Sequence, residues 1–213
     1  MLLILLFKFK KIKSMKNSFK SFLFFVVIFT SLTAVSQTIK QWKVDDVHSS
    51  VKFSVSHLVI SEVDGNFKVY EGNITAAKPD FTDAVIDFSI DVNSINTDNV
   101  MRDGHLKSDD FFSAAKYPKM VFKSISFKKK TGKQYELIGD LTIRDVTKKV
   151  VFAVKYGGTG KDAYGNTKAG FKLTGKINRF DYGLKWNALT ELGGATVGKE
   201  VKLESNLEFT LNK

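Results

Sequence analysis

Apolar and polar residues alternate along most of the chain, with the two-residue period of strands that bury one face. The clearest case is residues 84–95, where Ala84, Ile86 and Phe88 fall on one face and Asp87 falls on the other. Short turns join most of the alternating segments, so neighbouring strands are expected to be antiparallel. The pattern predicts eight or nine strands, at residues 41–47, 50–57, 65–74, 84–95, 119–127, 134–144, 149–156, 169–177 and 200–211.

One stretch, residues 101–127, interrupts the alternation. It contains a short helical segment, which Thr97 or Asp98 can cap, followed by the aromatic pair Phe111–Phe112. In the next strand a bulge near residues 123–124 is needed to bring the apolar side chains onto one face. The strand count with one short helical insertion predicts an all-β fold, an eight-stranded antiparallel β-barrel. A two-sheet sandwich is the alternative, and we interpret the helical stretch as a cover over the barrel.

The amino terminus has the three-part layout of a secretory signal, with a basic segment from Met15, an apolar run at 22–29 and small residues before Gln37. A membrane anchor is the alternative, but the apolar run is shorter than the ~20 residues that cross a bilayer. Residues 1–14 place a second apolar patch ahead of the basic segment, so we expect translation to start at Met15. The sequence thus predicts a signal peptide at residues 1–36 and a periplasmic or secreted protein.

Loss of the signal peptide changes the charge of the protein. Residues 1–36 contain six lysines and no acidic residue, so the formal net charge falls by six, from +11 to +5. The remaining lysines mostly alternate with apolar residues, as they do on the solvent face of a sheet, and we expect no nucleic acid partner. The chain contains no cysteine, so its fold must be held by the core alone.

Candidate catalytic and metal-binding residues are few. The chain has three histidines, His48, His57 and His105. His48 and His57 are nine residues apart, an odd separation that places them on opposite faces of one continuous strand. The sequence also lacks the motifs of serine hydrolases, zinc proteases and phosphate-binding loops. We therefore expect no metal, no cofactor, no catalytic residue and no enzymatic activity, with a histidine-dependent hydrolase as the remaining enzymatic alternative.

The predicted inner face of the barrel is rich in phenylalanine. Two interpretations are open, because these rings either fill the core or line an apolar tunnel. The residues concerned are Phe53, Phe67, Phe88, Phe122, Phe152, Phe171 and Phe209.

Several motifs follow one another along the chain: H-S-S-V-x-F-x-V-x-H-L at 48–58, V-x-G-x-F at 63–67, R-D-x-H-L-K-S-x-D-F-F at 102–112, Y-P-x-M-x-F-x-S at 117–124, G-D-L-T-I-x-x-V-T at 139–147 and I-N-R-x-D-Y-G at 177–183. Together they resemble the YceI-like polyisoprenoid-binding family over residues 41–212. Each motif is weak alone, and their common order makes the resemblance specific. One departure is Asp145, where the family usually has glycine.

The resemblance implies a lipocalin-like barrel at residues 37–213 that holds the apolar tail of a long isoprenoid or a similar amphiphile. Such a lipid needs a carrier because burying each CH₂ group contributes about 0.8 kcal/mol, which keeps a prenyl chain out of water. The residues expected to bind the tail are Phe53, Val55, Phe67, Phe88, Ile90, Met120, Phe122, Phe152, Phe171 and Leu173. The residues expected at the rim or against a polar head group are His48, Arg102, Lys107 and Arg179.

Two of these arginines also have a structural interpretation. Arg102 with Asp103, and Arg179 with Asp181, are expected to form ion pairs or clamps that hold irregular backbone. The leading hypothesis is a periplasmic or secreted protein that binds a long-chain amphiphilic lipid, of the polyisoprenoid or isoprenoid quinone type. The alternative is a secreted structural or stress-related interaction protein with a filled barrel. The expected partner is a lipid such as a polyprenyl chain, which is compatible with transient membrane contact and with a homodimer.

Overall fold

The computed structural model describes residues 38–188 and 196–212. The predicted signal peptide, its cleavage before Gln37 and the start at Met15 lie outside the described residues. The strands are β1 (Lys40–His57), β2 (Ser61–Phe67), β3 (Tyr70–Ala76), β4 (Val85–Asp91), β5 (Ile95–Asn96), β6 (Lys119–Thr131), β7 (Gln134–Ile143), β8 (Val146–Lys161), β9 (Thr167–Asn178) and β10 (Val197–Leu211). The helices are α1 (Val100–Lys107) and two 3-10 turns, Val92–Ser94 and Arg179–Tyr182. In this part of the chain, none of the helices has both the length and the hydropathy that a membrane crossing requires.

The ten strands form one antiparallel sheet, which closes because β1 pairs with β10. β2 and β3 share one position in the sheet, next to β1. β2 pairs with the second half of β1, and β3 pairs with the first residues of β1. β4 and β5 share the next position, because β4 pairs with β3 and β5 pairs with β2. Counting each of these two broken pairs as one strand gives eight positions around the barrel. The predicted eight-stranded antiparallel barrel is therefore confirmed, and its closure excludes the two-sheet sandwich.

Strand β7 shows how the alternating pattern builds the wall. Tyr135, Leu137, Gly139, Leu141 and Ile143 are buried, while the residues between them are half-buried. Successive side chains of a strand point to opposite faces, so the buried set faces the barrel interior. The branched and aromatic residues in this set also favour the extended backbone.

The predicted bulge in β6 is present, slightly further along the chain than expected. Consecutive residues of β7 pair with Ser124 and Ser126, which leaves Ile125 without a partner on that strand. Phe127 consequently returns to the interior and is buried, while Ile125 is exposed. One extra residue thus resolves the conflict between the two halves of the apolar pattern.

Strand β1 contains a larger irregularity. Between Asp45 and Ser50, four residues of β1 face a single residue of β10. His48 lies within this bulge. His48 and His57 lie on one strand, as the prediction assumed, but the bulge interrupts the alternation between them. The odd separation therefore no longer determines which faces they occupy. His57 does end β1, as expected.

The helical stretch lies across one end of the barrel, and residues 97–118 are called the cover below. The cover starts after β5 and reaches the β7–β8 turn on the far side. There Arg144 donates a hydrogen bond to the carbonyl oxygen of Phe111 at 3.3 Å, and the Tyr117 hydroxyl donates to Asp145 at 3.0 Å. The interpretation of this stretch as a cover over the barrel is confirmed.

The N-cap of α1 differs from the prediction. Asn99 caps the helix, because its side-chain oxygen accepts a hydrogen bond from the backbone N–H of Arg102 at 2.9 Å. Thr97 cannot serve, since its hydroxyl already bonds to Arg102 and Asp103. Asp98 has a φ of 57°, in the left-handed region, instead of the extended conformation that an N-cap needs.

Candidate functional site

The barrel contains an apolar cavity of about 220 Å³. Aromatic and aliphatic side chains from the strands and from the cover form its wall, with Lys52, Arg179 and Ser205 as the polar residues among them. The structure brings all ten predicted tail-binding residues to this wall: Phe53, Val55, Phe67, Phe88, Ile90, Met120, Phe122, Phe152, Phe171 and Leu173. Their placement matches the expectation, and their role in binding stays a prediction.

The volume of this cavity decides between the two interpretations of the phenylalanines. A cavity of about 150 Å³ in another protein binds benzene, whereas pockets for drug-sized ligands span about 300–1,000 Å³. By this comparison the cavity holds roughly two isoprene units. The interior is therefore neither filled nor an open tunnel, and a longer chain requires side chains or the cover to move.

Four inward-facing glycines lie directly beneath phenylalanine rings of the wall. A Cβ atom added at any of these glycines would lie 2.3–2.4 Å from a ring carbon, closer than atoms can approach. Each ring therefore packs against the backbone of the neighbouring strand, in space that a side chain at the glycine would occupy. The pairs are Gly65 with Phe53, Gly72 with Phe88, Gly139 with Phe122 and Gly175 with Phe152.

The sequence-based prediction named these phenylalanines and missed the glycines. Glycine within a strand weakens it and commonly marks a place where another group approaches the backbone closely. Gly139 lies in the middle of the clean alternation of β7, on its inward face. That signal was available in the sequence, but the partner ring could be assigned only once the strand register was known.

The end of the barrel opposite the cover is closed by aromatic rings. Phe81, in the loop between β3 and β4, is almost completely buried. Its ring lies 5.2 Å from that of Trp42 and 5.3 Å from that of Phe171. The Tyr135 hydroxyl donates to the carbonyl oxygen of Asp80 at 2.9 Å, which ties this loop to the wall. Among the described residues, this aromatic packing closes the end of the barrel opposite the cover.

The cover contributes apolar side chains to the cavity. Leu106, Phe111 and Phe112 face inward and complete the wall at the mouth. The ring of His105 lies 5.1 Å from that of Phe111 and 4.9 Å from that of Trp186. His105 thus packs between two aromatic rings and connects the cover to the loop that follows β9. These contacts give His105 a structural role.

Arg102 and Asp103 hold the base of the cover instead of pairing with each other. Arg102 donates to the hydroxyl of Thr97 at 2.8 Å and to its carbonyl oxygen at 2.7 Å. The Asp103 carboxylate accepts from the backbone N–H of Thr97 at 2.9 Å and from its hydroxyl at 2.6 Å. The clamp interpretation is confirmed for this pair, and head-group binding by Arg102 stays a prediction.

Arg179 is a buried clamp with 4% of its surface exposed. It does not pair with Asp181, because four of its N–H groups donate to backbone carbonyls instead. These bonds are 2.5–3.0 Å long. The acceptors are the carbonyl oxygens of Leu184, Trp186, Val197 and Gly198. Arg179 lines the cavity mouth, but its donors are used to hold the backbone on both sides of residues 189–195.

His48 lies in the bulge of β1 with an exposed side chain, and its assignment to a rim stays a prediction. Its Nδ1 atom is 3.0 Å from Asp45, and Lys168 Nζ is 2.5 Å from the same carboxylate. Burial opposes the ionisation of Asp45, but hydrogen bonds from Lys168 and His48 outweigh it and lower the pKa of Asp45 to about 2. The hydrogen bond to Asp45 raises the pKa of His48.

The same cluster is the place among the described residues where a metal ion could be held, since Asp45, His48 and Glu208 offer ligand atoms close together. Lys168 Nζ lies 3.5 Å from Glu208 as well as against Asp45. An ammonium group therefore already supplies the positive charge that these carboxylates attract, which disfavours a cation there.

Lys107 is the fourth residue predicted at the rim. It is half-buried in the last turn of α1, where a positive charge is favoured by the helix dipole. Together with Arg102 and Arg179 it lies at the covered end of the barrel. The guanidinium groups of Arg102 and Arg179 donate to backbone carbonyl oxygens. The described hydrogen bonds include no such bond from the ammonium group of Lys107.

Comparison with known proteins gives a consistent result. A family model described as the YceI-like domain matches residues 42–209. The UPF0312 protein SA2479 of Staphylococcus aureus (strain N315) is 36% identical over 170 residues, which cover 79% of this chain and 96% of that protein. A Campylobacter jejuni YCEI protein of known structure is 35% identical with a TM-score of 0.64, over 74% of this chain and 90% of that one.

Two more distant structures share the fold alone. Burkholderia cenocepacia BcnA has a TM-score of 0.66 at 22% identity, over 78% of this chain and 98% of that one. A polyisoprenoid binding domain from Saccharophagus degradans has a TM-score of 0.62 at 17% identity, over 80% of this chain and 98% of that one. The ordered motifs, the closed barrel and the family match show that this chain belongs to the YceI-like family.

Proposed function

We propose that the protein is a non-enzymatic carrier that holds the apolar tail of a long-chain amphiphilic lipid inside the barrel. The lipid is of the polyisoprenoid or isoprenoid quinone type. The observation that carries the proposal is the apolar cavity, walled by phenylalanine rings on glycine and closed at one end by aromatic residues. Membership of the family supports it, as does the shared fold with the polyisoprenoid binding domain from Saccharophagus degradans.

The proposal includes the position of the lipid. The tail enters beneath the cover, and its polar head stays outside, near Arg102 and Lys107. A chain longer than roughly two isoprene units displaces the cover or turns the wall rings, because the resting cavity has no room for it. The proposed location is the periplasm or the cell exterior, for which the signal-like pattern of residues 15–36 is the support.

Because the cavity volume is modest, a second function is also considered: a secreted interaction protein whose barrel carries no lipid. Two experiments separate them. Organic extraction of the purified protein followed by mass spectrometry identifies any bound lipid. Titration with prenyl quinones of increasing chain length, followed through the fluorescence of Trp186 at the mouth, measures affinity. Absence of lipid together with absence of quinone binding would overturn the carrier proposal.

A matched pair of variants ties binding to the cavity. Ser205→Leu adds volume to the cavity wall, because Ser205 is buried and faces the interior. Ser89→Leu makes the same change on β4 between two inward residues, so its side chain faces outward. Quinone binding is expected to weaken in Ser205→Leu and to stay unchanged in Ser89→Leu. Equal affinities in both variants would place the ligand outside the barrel.

A further inference from the structure

The tip of the β1–β2 hairpin exposes three consecutive apolar side chains, Leu58, Val59 and Ile60. Val59 is 79% exposed and Ile60 is 85% exposed. Leu58 and Val59 have φ angles of 53° and 64°, in the left-handed region. Asparagine and glycine suit such positions in a tight hairpin, whereas a β-branched residue is strained there. The tip thus keeps apolar side chains where backbone geometry favours polar or small residues.

This tip lies at the covered end of the barrel. β1 ends at His57, which pairs with Ser61 at the start of β2. The N–H of Leu58 donates to the carbonyl oxygen of Thr196 at 2.9 Å, and the N–H of Thr196 donates to the carbonyl oxygen of Ala188 at 3.0 Å. That backbone leads to Trp186, which packs against the cover. The hairpin tip and the cover therefore flank the same mouth.

The cover carries a second exposed apolar pair. α1 begins with Val100 and Met101, which are 88% and 84% exposed. Further along the cover, Leu106 and Phe112 face the cavity. The inner side of the cover is thus apolar, while its outer side carries this apolar pair beside exposed polar residues such as Asp98, Asn99 and Asp110.

The partner that fits this surface is a lipid bilayer. The two exposed sets comprise only five side chains, whereas a stable protein dimer buries about 20–30 residues on each side. Interfacial binding needs only a few apolar side chains that reach the boundary between lipid head groups and acyl chains. Val47 and Val85 are also exposed but lie away from the mouth, and scattered exposed apolar residues are ordinary on folded proteins.

We propose that the covered end of the barrel docks on a membrane surface by inserting Val59, Ile60, Val100 and Met101. Docking sets the cavity mouth against the bilayer, so the apolar tail passes between membrane and barrel without crossing water. This inference rests on the proposed carrier function and adds to it the surface through which lipid is exchanged.

Flotation of the protein, purified from cells that express the full chain, tests the inference. The vesicles contain phosphatidylethanolamine with a minority of phosphatidylglycerol. Val59→Asn/Ile60→Gly places asparagine at the left-handed residue 59 and removes the exposed side chain of residue 60. Val100→Ser/Met101→Ser changes the second pair. The control Val47→Ser/Val85→Ser removes two exposed apolar side chains away from the mouth. Each docking variant is expected to lower the vesicle-bound fraction about tenfold, since several buried CH₂ groups are lost, and the control is expected to match wild type.

A direct titration with a prenyl quinone in the absence of vesicles separates the two proposals. If wild type binds the quinone but does not float, or if the control variant loses flotation equally, the docking inference is overturned and the carrier function stands. If wild type binds no quinone, the carrier function itself fails. If Val59→Asn/Ile60→Gly instead converts a dimer to a monomer in light scattering, this surface joins two copies of the chain and docking is overturned.

Discussion

Replacing Gly72 by alanine tests whether the cavity depends on phenylalanine rings that pack against glycine. Gly72 and Phe88 are direct partners across β3 and β4. A Cβ atom at residue 72 would lie 2.3 Å and 2.6 Å from two carbons of the Phe88 ring. The ring is also stacked on Tyr70, with centroids 5.7 Å apart, so it cannot slide along the wall. The direction that remains open is inward, into the cavity.

Two effects of opposite sign determine how much Gly72→Ala changes the free energy of unfolding. Alanine in place of glycine within a strand stabilises by about 0.5–1 kcal/mol through backbone entropy. Overpacking a tight wall costs about 1–3 kcal/mol. The expected net loss is about 1–2 kcal/mol in the free energy of unfolding, or roughly 3–6 °C in Tm for a domain of this size. Quinone affinity is expected to fall as well, because the displaced ring takes space from the ligand.

The assay compares urea unfolding and quinone binding in three variants. Gly170→Ala is the matched control, since Gly170 lies within β9 and an added Cβ would meet nothing within 4 Å. It is expected to stabilise the protein by up to about 1 kcal/mol. The double variant Gly72→Ala/Phe88→Leu removes the ring and is expected to recover stability, with a coupling of about 1 kcal/mol or more. If Gly72→Ala is as stable as Gly170→Ala, the rings do not depend on these glycines.

Three further predictions follow from the clamps, the outer cluster and the hairpin tip. Arg179→Lys is expected to lower the free energy of unfolding by about 2–3 kcal/mol, because an ammonium group cannot serve four buried carbonyls; an unchanged urea midpoint would contradict this. The folded-state pKa of Asp45, about 2 against an ordinary value of 3.8, adds stability that is fully present above pH about 4 and is lost as the pH falls through about 2. Unfolding measured against pH should show a smaller loss in Lys168→Met, and identical curves would exclude Lys168 as the cause. Val59→Gly is expected to raise Tm, since it removes a β-branched residue from the left-handed region and stabilises by about 1–2 kcal/mol; a lower Tm would show that the Val59 side chain packs usefully in the isolated protein.

The strands could be predicted from the sequence because the apolar period reports burial directly. In β7 each inward residue is buried and each outward residue is less so, which is the pattern that alternation describes. The bulge in β6 was also predictable, since Met120 and Phe127 cannot share a face without an extra residue. Local patterns therefore determine which side chains face inward, and all ten predicted cavity residues do so.

The polar contacts could not be predicted in the same way, because they depend on groups that are distant in the fold. Arg179 stands two residues from Asp181, which suggests an ion pair, yet its donors go to carbonyls on either side of residues 189–195. Those carbonyls are buried or partly buried by the fold and need partners, and an arginine satisfies several at once. The contacts of His48 were out of reach for a related reason, because counting residues along β1 cannot reveal the four-residue bulge that contains it.

The alternating pattern cannot predict the amount of free space in the barrel, and the reason is physical. Alternation gives the face of each phenylalanine, but a ring on the inner face either crosses the lumen or lies along the wall, depending on its neighbour on the next strand. Where that neighbour is glycine, the ring can lie against the backbone, as Phe53 does on Gly65 and Phe88 does on Gly72. In this chain the space in the barrel therefore depends on which inward phenylalanines have glycine as a partner, and strand register is needed to identify those pairs. Larger residues at those glycines are expected to push the rings off the wall and to reduce the volume of the cavity.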